Sequence, residues 1–360
     1  MLHASREANA EIFRAVPFSY GTGGFLLSAT LRVVRAKKFV KLQYRLATSH
    51  AHVCEVLSAC STAGATRGAS PDLDGSGGGF AHDFVDGLVF APDLATVITG
   101  AWTDGTSAAD RWLPIVRPWA HWWRPLYYAH VKRILSAAKD NGGGNIVYEE
   151  LMPASDYLFR YDRGCFWTLG QAAPRLESAW VRFLFGWALT SRLFHLLPDK
   201  GTDEKRSDQV VQDATVAIEH GASALDQLVA IFGIYPLWLC PCLNVSLAVG
   251  ASQEARNAAL VKLKPHRVLL DIGVYGKPRP GGSVFDAVDA HRKMEGLMHE
   301  LGGFLFSYAI CFSTRREFWE RWYDSVAYAR FRKATGAEGA FPDLFDKIGG
   351  GKKVAHLEKS

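Results

Sequence analysis

The chain is 360 residues long, and 48% of its residues are hydrophobic and 21% charged. This composition provides a sizeable core for one large or two ordinary domains, and it excludes a disordered or fibrous protein. The net charge of +5 is mild and dispersed. It argues against nucleic acid as a partner and permits loose attachment to an anionic membrane surface.

The six cysteines are few for this length, and most lie in apolar runs. We expect free, buried thiols in a reducing compartment rather than disulfides. Cys240 and Cys242 lack the CxxC spacing of a redox or zinc pair, and no His/Cys cluster follows them. We therefore expect no metal site.

Two segments bear on targeting. The first residues, MLHASREANAEIF, contain no apolar stretch of the kind found in signal peptides. Residues 228–251 are uncharged and long enough to cross a bilayer, but Gly233, Pro236 and Pro241 interrupt them. We predict that this segment is a helix end followed by a buried strand.

Over the first hundred residues, apolar periodicity and glycine-rich turns predict short helices and strands. In chain order we predict a helix over 7–15, a tight turn over 19–24, strands over 25–34 and 39–46, a helix from Ser49 to about residue 59, a loop over 66–79, and hairpin strands over 84–90 and 95–102.

The rest of the chain predicts helices first and strands afterwards. We predict an aromatic and basic helical region over 111–138, a segment over 148–167 leading into a helical stretch near 176–197, the longest helical pattern over 208–231, strands over 235–240, 268–274 and 304–312, and a helix over 286–301. Two β-α-β-β units side by side would form one large, mostly antiparallel sheet with helices on one face, an α+β fold.

A glycine turn, Ser19-Tyr-Gly-Thr-Gly-Gly-Phe, precedes the predicted strand over 25–34. Without a Cβ, such a turn lets backbone N–H groups approach a phosphate or a ring carbonyl. The turn is not GxGxxG and no helix follows it, so it does not match the dinucleotide-binding fingerprint. A plain turn at the start of a strand is the alternative.

Two aromatic and basic segments are candidate binding sites. Arg160 and Arg163 are three residues apart, and on one helical face they would hold a phosphate or a carboxylate, unless both are simply solvated. Residues 119–128 combine Trp and Tyr with arginines, a pattern that suits a membrane interface. Packing of these rings in the core is the interpretation we favour.

Three stretches have a distinctive combination of residues: IYPLWLCP over 234–241, DIGVYGKP over 271–278, and 304–348, which contains R-x-E-F-W over 315–319. Together they resemble the delta(24)-sterol reductase (diminuto) family of FAD-dependent oxidoreductases. The resemblance covers nearly the whole chain and begins within that family's flavin-binding domain, so we expect this chain to be a fragment.

The resemblance implies a domain organisation. Residues 1–38 would be the C-terminal end of a PCMH-type FAD-binding domain, as in the vanillyl-alcohol-oxidase class. Residues 39–314 would be the substrate (cap) domain, with a large, mostly antiparallel sheet flanked by helices and a helical insertion at about 105–200. Residues 315–360 would form a C-terminal helical segment.

The resemblance also implies site residues. The turn is similar to the family's S-x-G-T-x-G-F-L, which places Gly21, Thr22, Gly24 and Phe25 along the FAD. The segment over 153–167 is similar to P-x-x-x-Y-Y-H-R-H-x-R-x-x-F-W, which implies substrate-binding roles for the matching Tyr157, Arg160 and Arg163, together with Tyr275. Phe159 and Tyr161 replace the family's two histidines, so no histidine relay is expected there.

The implied reaction is reduction of the C24 double bond of a sterol side chain, with FAD and NADPH. Because no carbonyl polarises this alkene, an acid must protonate one carbon while hydride reaches the other. Tyr308, in a strand that the resemblance places near the flavin, is the first candidate for the acid, and Glu149, Glu150 and Tyr275 are alternatives. A buried core tyrosine is the structural alternative for Tyr308.

The implied location is the cytosolic face of the endoplasmic reticulum membrane, where the sterol substrate resides. Two other functions stay open. One is another flavin-dependent alcohol or lactone oxidase of the same fold, and the other is a non-catalytic sterol-binding or scaffold protein. The sequence does not determine an oligomeric state.

Overall fold

The computed structural model describes residues 1–5, 7–31, 33–62, 82–141, 145–172, 174–192, 210–243, 268–278, 285–308 and 311–348. Within these ranges the strands are β1 Phe39–Ala47, β2 Phe84–Ala91, β3 Leu94–Thr103, β4 Tyr148–Pro153, β5 Val210–Ala217, β6 Leu237–Leu243, β7 Val268–Gly276 and β8 Phe304–Leu305. The α-helices are α1 Ala10–Ala15, α2 His50–Thr62, α3 Tyr127–Asp140, α4 Ala154–Leu158, α5 Thr168–Ala172, α6 Ala179–Phe185, α7 Gly221–Phe232, α8 Ala287–Glu300, α9 Arg315–Arg321, α10 Ser325–Thr335 and α11 Leu344–Lys347.

All of these strands join one sheet in the order β4-β1-β3-β2-β6-β7-β5-β8, with every neighbouring pair antiparallel. The order is symmetric about the β2–β6 junction. On one side β1-α2-β2-β3 is followed by α3 and β4, and on the other β5-α7-β6-β7 is followed by α8 and β8. The fold is therefore α+β, built from two units of the same topology that meet edge to edge.

One face of the sheet is covered by helices α2, α7 and α8. Their apolar residues, such as Leu57 and Leu228, pack with Ile272 of β7 in a continuous core that also reaches the C-terminal helices. We call the opposite face the site face. Over the first unit it packs against α3, whose Leu135 lies in the same cluster as Leu42 of β1.

The site face of the second unit is polar. Strand register puts Trp238, Gly273 and Asp213 side by side across β6, β7 and β5. Asp271 of β7 lies two residues before Gly273 on the same face and pairs with Thr215 of β5. Carboxylates at these positions cannot form an apolar core, so the two units use the same face differently.

Several predicted elements are confirmed. The hairpin has the predicted strands, β1 and β7 lie where they were expected, and residues 228–243 are a helix end followed by a strand. Helix α8 begins where Asp286 accepts hydrogen bonds from the backbone N–H groups of Val288 and Asp289. Ser49 likewise accepts a hydrogen bond from the His52 backbone N–H, at 3.0 Å, at the start of α2.

The helix predicted over 208–231 is wrong in its first half. Residues 210–217 are strand β5, and only Gly221–Phe232 is helical. The spacing of Val211 and Ala214 fits a helical stripe, but on the strand they lie on opposite faces, and Val211 is exposed while Ala214 is buried. Pairing with β7 on one side and β8 on the other selects the strand.

The strand predicted over 25–34 is also wrong. The described residues of this stretch form no strand, and Phe25 is 84% and Val33 87% exposed. Their composition favours a strand, but a strand also needs a hydrogen-bonded neighbour, and none of the described residues supplies one. Among the described residues of the strand predicted over 304–312, only Phe304–Leu305 form a strand, which pairs with Thr215 and Ala214.

The helical region predicted over 111–138 is helical only from Tyr127. Pro114, Pro118 and Pro125 interrupt the preceding segment, because proline lacks the donor that a helix requires. Near 176–197 the described part is a set of short helical turns. The loop predicted over 66–79 lies outside the described residues, and no helix within the described ranges is long and apolar enough to span a bilayer.

Candidate functional site

A carboxylate–tyrosine cluster occupies the site face of the second unit. Tyr275 of β7 and Tyr308, which follows β8, both donate hydrogen bonds from their hydroxyls to the carboxylate of Asp213 on β5. The Asp213 side chain is buried, whereas Tyr308 is 51% exposed. One buried carboxylate thus holds two phenols, one of which reaches the surface.

Gly273 explains how Tyr275 reaches Asp213. The two residues Gly273 and Asp213 are direct partners across β7 and β5. A Cβ added at Gly273 would lie 2.7 Å from the Tyr275 ring and its hydroxyl. The ring therefore folds over the space that the glycine leaves, and this directs its hydroxyl to the carboxylate opposite.

A second carboxyl, that of Asp271, lies on the same face and accepts a hydrogen bond from Thr215 Oγ1 at 3.0 Å. Burial raises the pKa of Asp271 to about 7, and the charge of Asp213 adds to the effect. Burial also raises the pKa of Asp213, against which the hydrogen bonds from Tyr275 and Tyr308 act. The face therefore holds an exchangeable proton near neutral pH.

The two tyrosines keep their protons. Burial raises the pKa of Tyr308, and the hydrogen bond to Asp213 raises it further. Burial, followed by the charge of Asp213, raises the pKa of Tyr275 in the same way. Near neutral pH Tyr308 is thus a half-exposed phenol with its hydroxyl hydrogen in place.

An aromatic group connects this cluster to the first unit. The Phe166 ring stacks on Tyr161 at 4.4 Å and lies 5.4 Å from Trp238 and 5.2 Å from Tyr275. Cys165 and Phe166 both have positive φ, at 44° and 63°, which is unfavourable for residues other than glycine. This strained turn sets Phe166 over the sheet, beside the tyrosines.

Arg160 is engaged within the protein. Its guanidinium forms an ion pair with Asp86 of β2 at 2.9 Å and lies 4.0 Å from the centre of the Tyr157 ring. Tyr161 donates a second hydrogen bond to the same Asp86 oxygen at 3.0 Å. Arg160 and Tyr157 are therefore held by contacts on the first unit.

Arg163 points to a different neighbour, so the two arginines do not share a binding face. Helix α4 ends at Leu158, and both arginines follow it in turns. Arg163 is buried and donates to the Trp122 carbonyl at 2.7 Å, while its Nε and Nη2 have no acceptor among the described residues. Burial lowers the pKa of Arg163 to about 10.

The glycine turn contacts the residue before Tyr308 through Tyr20 and contacts the C-terminal helices through Thr22. The Tyr20 hydroxyl accepts a hydrogen bond from the backbone N–H of Ser307 at 3.1 Å. Thr22 is buried, and its hydroxyl accepts from Tyr328 of α10 at 2.8 Å. Gly24 has φ of 139° and open space where a Cβ would lie. Gly21, within the turn, has φ of 74°, and Phe25 at the end of the turn is exposed.

Glu149 and Glu150 lie elsewhere. They belong to β4, at the opposite edge of the sheet from β8, and do not join the Tyr308 cluster. Glu150 is fully buried and accepts a hydrogen bond from Tyr44 at 2.6 Å, and its other oxygen lies 2.9 Å from His130 Nε2. It serves the packing of the first unit.

Asp213, Asp271 and Phe166 are site residues that the sequence alone did not predict. A signal existed for Asp271, a carboxylate inside an otherwise apolar run, and a weaker one for Asp213, whose run also contains Gln212 and Thr215. Asp213 was overlooked because its segment was assigned to a helix. Among the described residues no group of three His, Cys, Asp or Glu side chains is placed to hold a metal, and all six cysteines are free.

The fold and the cluster define an α+β protein with a buried carboxylate–tyrosine site on one face of an antiparallel sheet. Comparisons with curated proteins identify its relatives. The chain is 31% identical over 343 residues to delta(24)-sterol reductase of Mus musculus and 29% identical over 350 residues to that of Homo sapiens, in each case over 94% of this chain and 59% of the relative. The reductase of Pisum sativum is 27% identical over 358 residues, covering 96% of this chain and 60% of the relative.

These similarities to delta(24)-sterol reductases extend along nearly the whole chain. The chain spans about 59% of the length of the curated relatives it matches. No family model matches the chain.

Proposed function

We propose that this protein acts in FAD-dependent reduction of the C24 double bond of a sterol side chain, with NADPH as the reductant. Support comes from the similarity to proteins named delta(24)-sterol reductase, which covers 94% of this chain. The observation that carries the chemical part of the proposal is the hydrogen bonding of Tyr275 and half-exposed Tyr308 to buried Asp213.

The reaction adds a hydride to one alkene carbon and a proton to the other, so the double bond becomes a single bond and two C–H bonds form. The reduced flavin supplies hydride when it is bound. The protein has to supply the proton, because an isolated alkene is a weak base. As one carbon is protonated, positive charge develops on the other carbon, which accepts the hydride.

Tyr308 is the residue proposed to deliver this proton. Its side chain is half exposed, its hydroxyl keeps the proton, and the hydrogen bond to Asp213 fixes the position of that hydroxyl. Asp271, with a pKa raised to about 7 by burial, holds a further proton on the same face. Asp213 and Asp271 are thus proposed as positioning and proton-storing residues, and Tyr275 as a second anchor of the Asp213 carboxylate.

The glycine turn fits a flat ligand near Tyr308. At Gly24 the backbone is bare, with open space in place of a side chain, and exposed Phe25 follows. Gly21 and Gly24 would hold the flavin through their backbone. Thr22 would take part through its backbone alone, because Tyr328 occupies its hydroxyl.

A group of aromatic rings on the site face is suited to contact with an apolar polycyclic substrate. Phe166, Trp238 and Tyr275 line the site face with rings, and Arg160 and Tyr157 support them from the first unit. A dry aromatic surface also stabilises positive charge on a neighbouring carbon. Of the four residues proposed to bind substrate, only Tyr275 lies in the Asp213 cluster, and Arg163 lies toward Trp122.

The domain assignment follows from the same proposal. Residues 1–38 would belong to a PCMH-type flavin-binding domain and residues 39–314 to the substrate domain, with an insertion at about 105–200 and a helical segment over 315–360. The proposed location is the cytosolic face of the endoplasmic reticulum membrane.

Product analysis tests this function. The complete gene product is incubated with FAD, NADPH and a sterol that carries a C24 double bond. The sterol is then analysed by mass spectrometry. We expect a gain of two hydrogens in the side chain. Sterol binding without flavin binding, or oxidation of an alcohol or lactone without sterol reduction, would overturn the proposal in favour of a binding protein or an oxidase.

A further inference from the structure

The inference concerns a surface of aromatic side chains between the helical turns around 111–125 and 178–192. We call it the aromatic surface, defined by Trp119, Trp122, Trp123, Trp180, Phe183, Leu184, Phe185 and Trp187. Every one of these side chains is exposed: Trp180 by 78%, Phe183 by 62% and Trp187 by 63%.

Helix α6 contributes half of this surface. Ser178 accepts a hydrogen bond from the Val181 N–H at its start, and none of the helix residues Ala179–Phe185 is buried. All of them except Arg182 are apolar. Exposing a short, almost wholly apolar helix to water is unfavourable. Such a helix on the surface therefore indicates a binding surface.

The two halves of the surface are joined. A Cβ at Gly186 would lie 2.4 Å from the Trp122 carbonyl oxygen, so the two backbones touch at a point where only glycine fits. Arg182 donates from Nε to the Trp123 carbonyl at 3.4 Å. The rings of Trp122 and Trp123 are 5.1 Å apart. The two segments that carry these exposed side chains are therefore in direct contact, at Gly186 and at Arg182.

The charged residues around the aromatic surface indicate what it binds. Residues 111–133 contain five Lys or Arg and no Asp or Glu, and residues 178–192 contain Arg182 and Arg192 and no acid. Arg117 and Arg124 flank the tryptophans and are exposed. Indole rings beside cations match the headgroup region of an anionic bilayer, where the ring is half in the apolar layer and the cation meets phosphate.

The surface also adjoins the site. Trp119 lies 5.2 Å from Phe159, which is itself exposed. Phe159 precedes Arg160 and Tyr161, whose side chains turn the other way to Asp86. One short segment therefore faces both the aromatic surface and the candidate site.

We propose that the aromatic surface docks this protein on an anionic lipid bilayer. Trp180, Phe183 and Trp187 enter the interface, and Arg117 and Arg124 contact lipid phosphates. The inference goes beyond the proposed function, because lipid binding is measured without any turnover of substrate.

Sedimentation with vesicles tests the proposal. The vesicles are phosphatidylcholine alone, or phosphatidylcholine with about one quarter phosphatidylserine. We expect the protein to sediment with the anionic vesicles and to be released by salt. The triple variant Trp180→Ser, Phe183→Ser, Trp187→Ser should bind about tenfold more weakly or worse. Arg117→Gln with Arg124→Gln should lose about fivefold in affinity for each arginine at low salt.

Matched controls lie on helix α10. Val326 is 66% exposed, and Arg330 and Lys333 are exposed cations on the same helix. Val326→Ser and the pair Arg330→Gln, Lys333→Gln should leave vesicle binding unchanged. Circular dichroism confirms that each variant is folded, which is expected because all the substituted side chains are exposed.

Three results would overturn the proposal. One is a wild-type protein that sediments with neither vesicle. Another is a folded triple variant that binds as the wild type does. The third is a dimer, seen by light scattering, that the triple variant breaks without any change in lipid binding, since the surface would then be occupied by a second copy of the chain.

Discussion

The two units of the sheet have the same topology but different site faces. In the first unit, β4-β1-β3-β2, this face packs against α3 with buried Leu42, Ile98 and Leu135. In the second unit, β6-β7-β5-β8, the corresponding face carries Asp213, Asp271 and two tyrosines.

We therefore expect the first unit to contribute mainly to stability and the second unit to carry the candidate site. The first unit uses its buried carboxylates in internal contacts, since Glu150 hydrogen-bonds with Tyr44 and His130 and Asp86 pairs with Arg160. The second unit leaves Tyr308 half exposed above a buried carboxylate. Topology therefore fixes where the face lies, and the side chains on β5 and β7 make its second half the candidate site.

The largest effect is expected for a substitution in the core of the first unit. Leu135→Ala removes a fully buried side chain between α3 and the sheet. The free energy of unfolding should fall by about 2–5 kcal/mol, measured by urea denaturation. Turnover per folded molecule should stay close to the wild-type value, because Leu135 lies in the first unit.

Ser136→Ala, at an exposed neighbouring position of α3, is the control and should change stability little. A Leu135→Ala protein that keeps its stability but loses turnover would contradict the division between the units.

Gly273→Ala is expected to have the next largest effect. The new methyl group would lie 2.7 Å from the Tyr275 ring and force it away from Asp213. We expect a loss of about 1–3 kcal/mol in stability together with a loss of turnover. Gly296→Ala, in helix α8 with no atom within 4 Å, is the control. It should raise stability by about 0.5–1 kcal/mol through helix propensity.

A smaller effect concerns pH. The folded pKa of Asp271, about 7, lies above its ordinary value of 3.8 because of burial. Between these values the folded state binds more protons than the unfolded state, so this contribution to stability is complete below about pH 4 and is lost as the pH rises to about 7.

Asp271→Asn should therefore flatten the decrease in stability over that range, measured by thermal unfolding at several pH values. Exposed Asp289→Asn in helix α8 serves as the control. An unchanged slope in Asp271→Asn would show that this carboxyl ionises normally in the folded protein.

The elements that the sequence predicted well have strong local signals. Helix α8 has an aspartate cap, and the hairpin turns at Pro92 and Asp93. Strand β5 was missed because residues 210–217 fit both a helical and a strand period, and only its pairing with β7 decides between them. Residues 25–34 show the opposite error, since strand propensity without a partner produces no strand.

The site was found in part, through family motifs. Tyr275 and Tyr308 lie in such motifs, and the structure brings both to Asp213, although they are 62 and 95 residues away from it in the chain. Local periodicity cannot reveal that meeting, because it depends on strand order. Their catalytic and binding roles stay predictions.

The most direct test of the central claim, that Tyr308 on the Asp213 carboxylate is the proton donor, is a single-turnover measurement. The NADPH-reduced protein is mixed with a C24-unsaturated sterol, and flavin reoxidation is followed by absorbance. Tyr308→Phe should slow reoxidation by about 10²–10⁴-fold while leaving sterol affinity unchanged, because the ring is retained. Reoxidation at the wild-type rate in Tyr308→Phe would contradict the account.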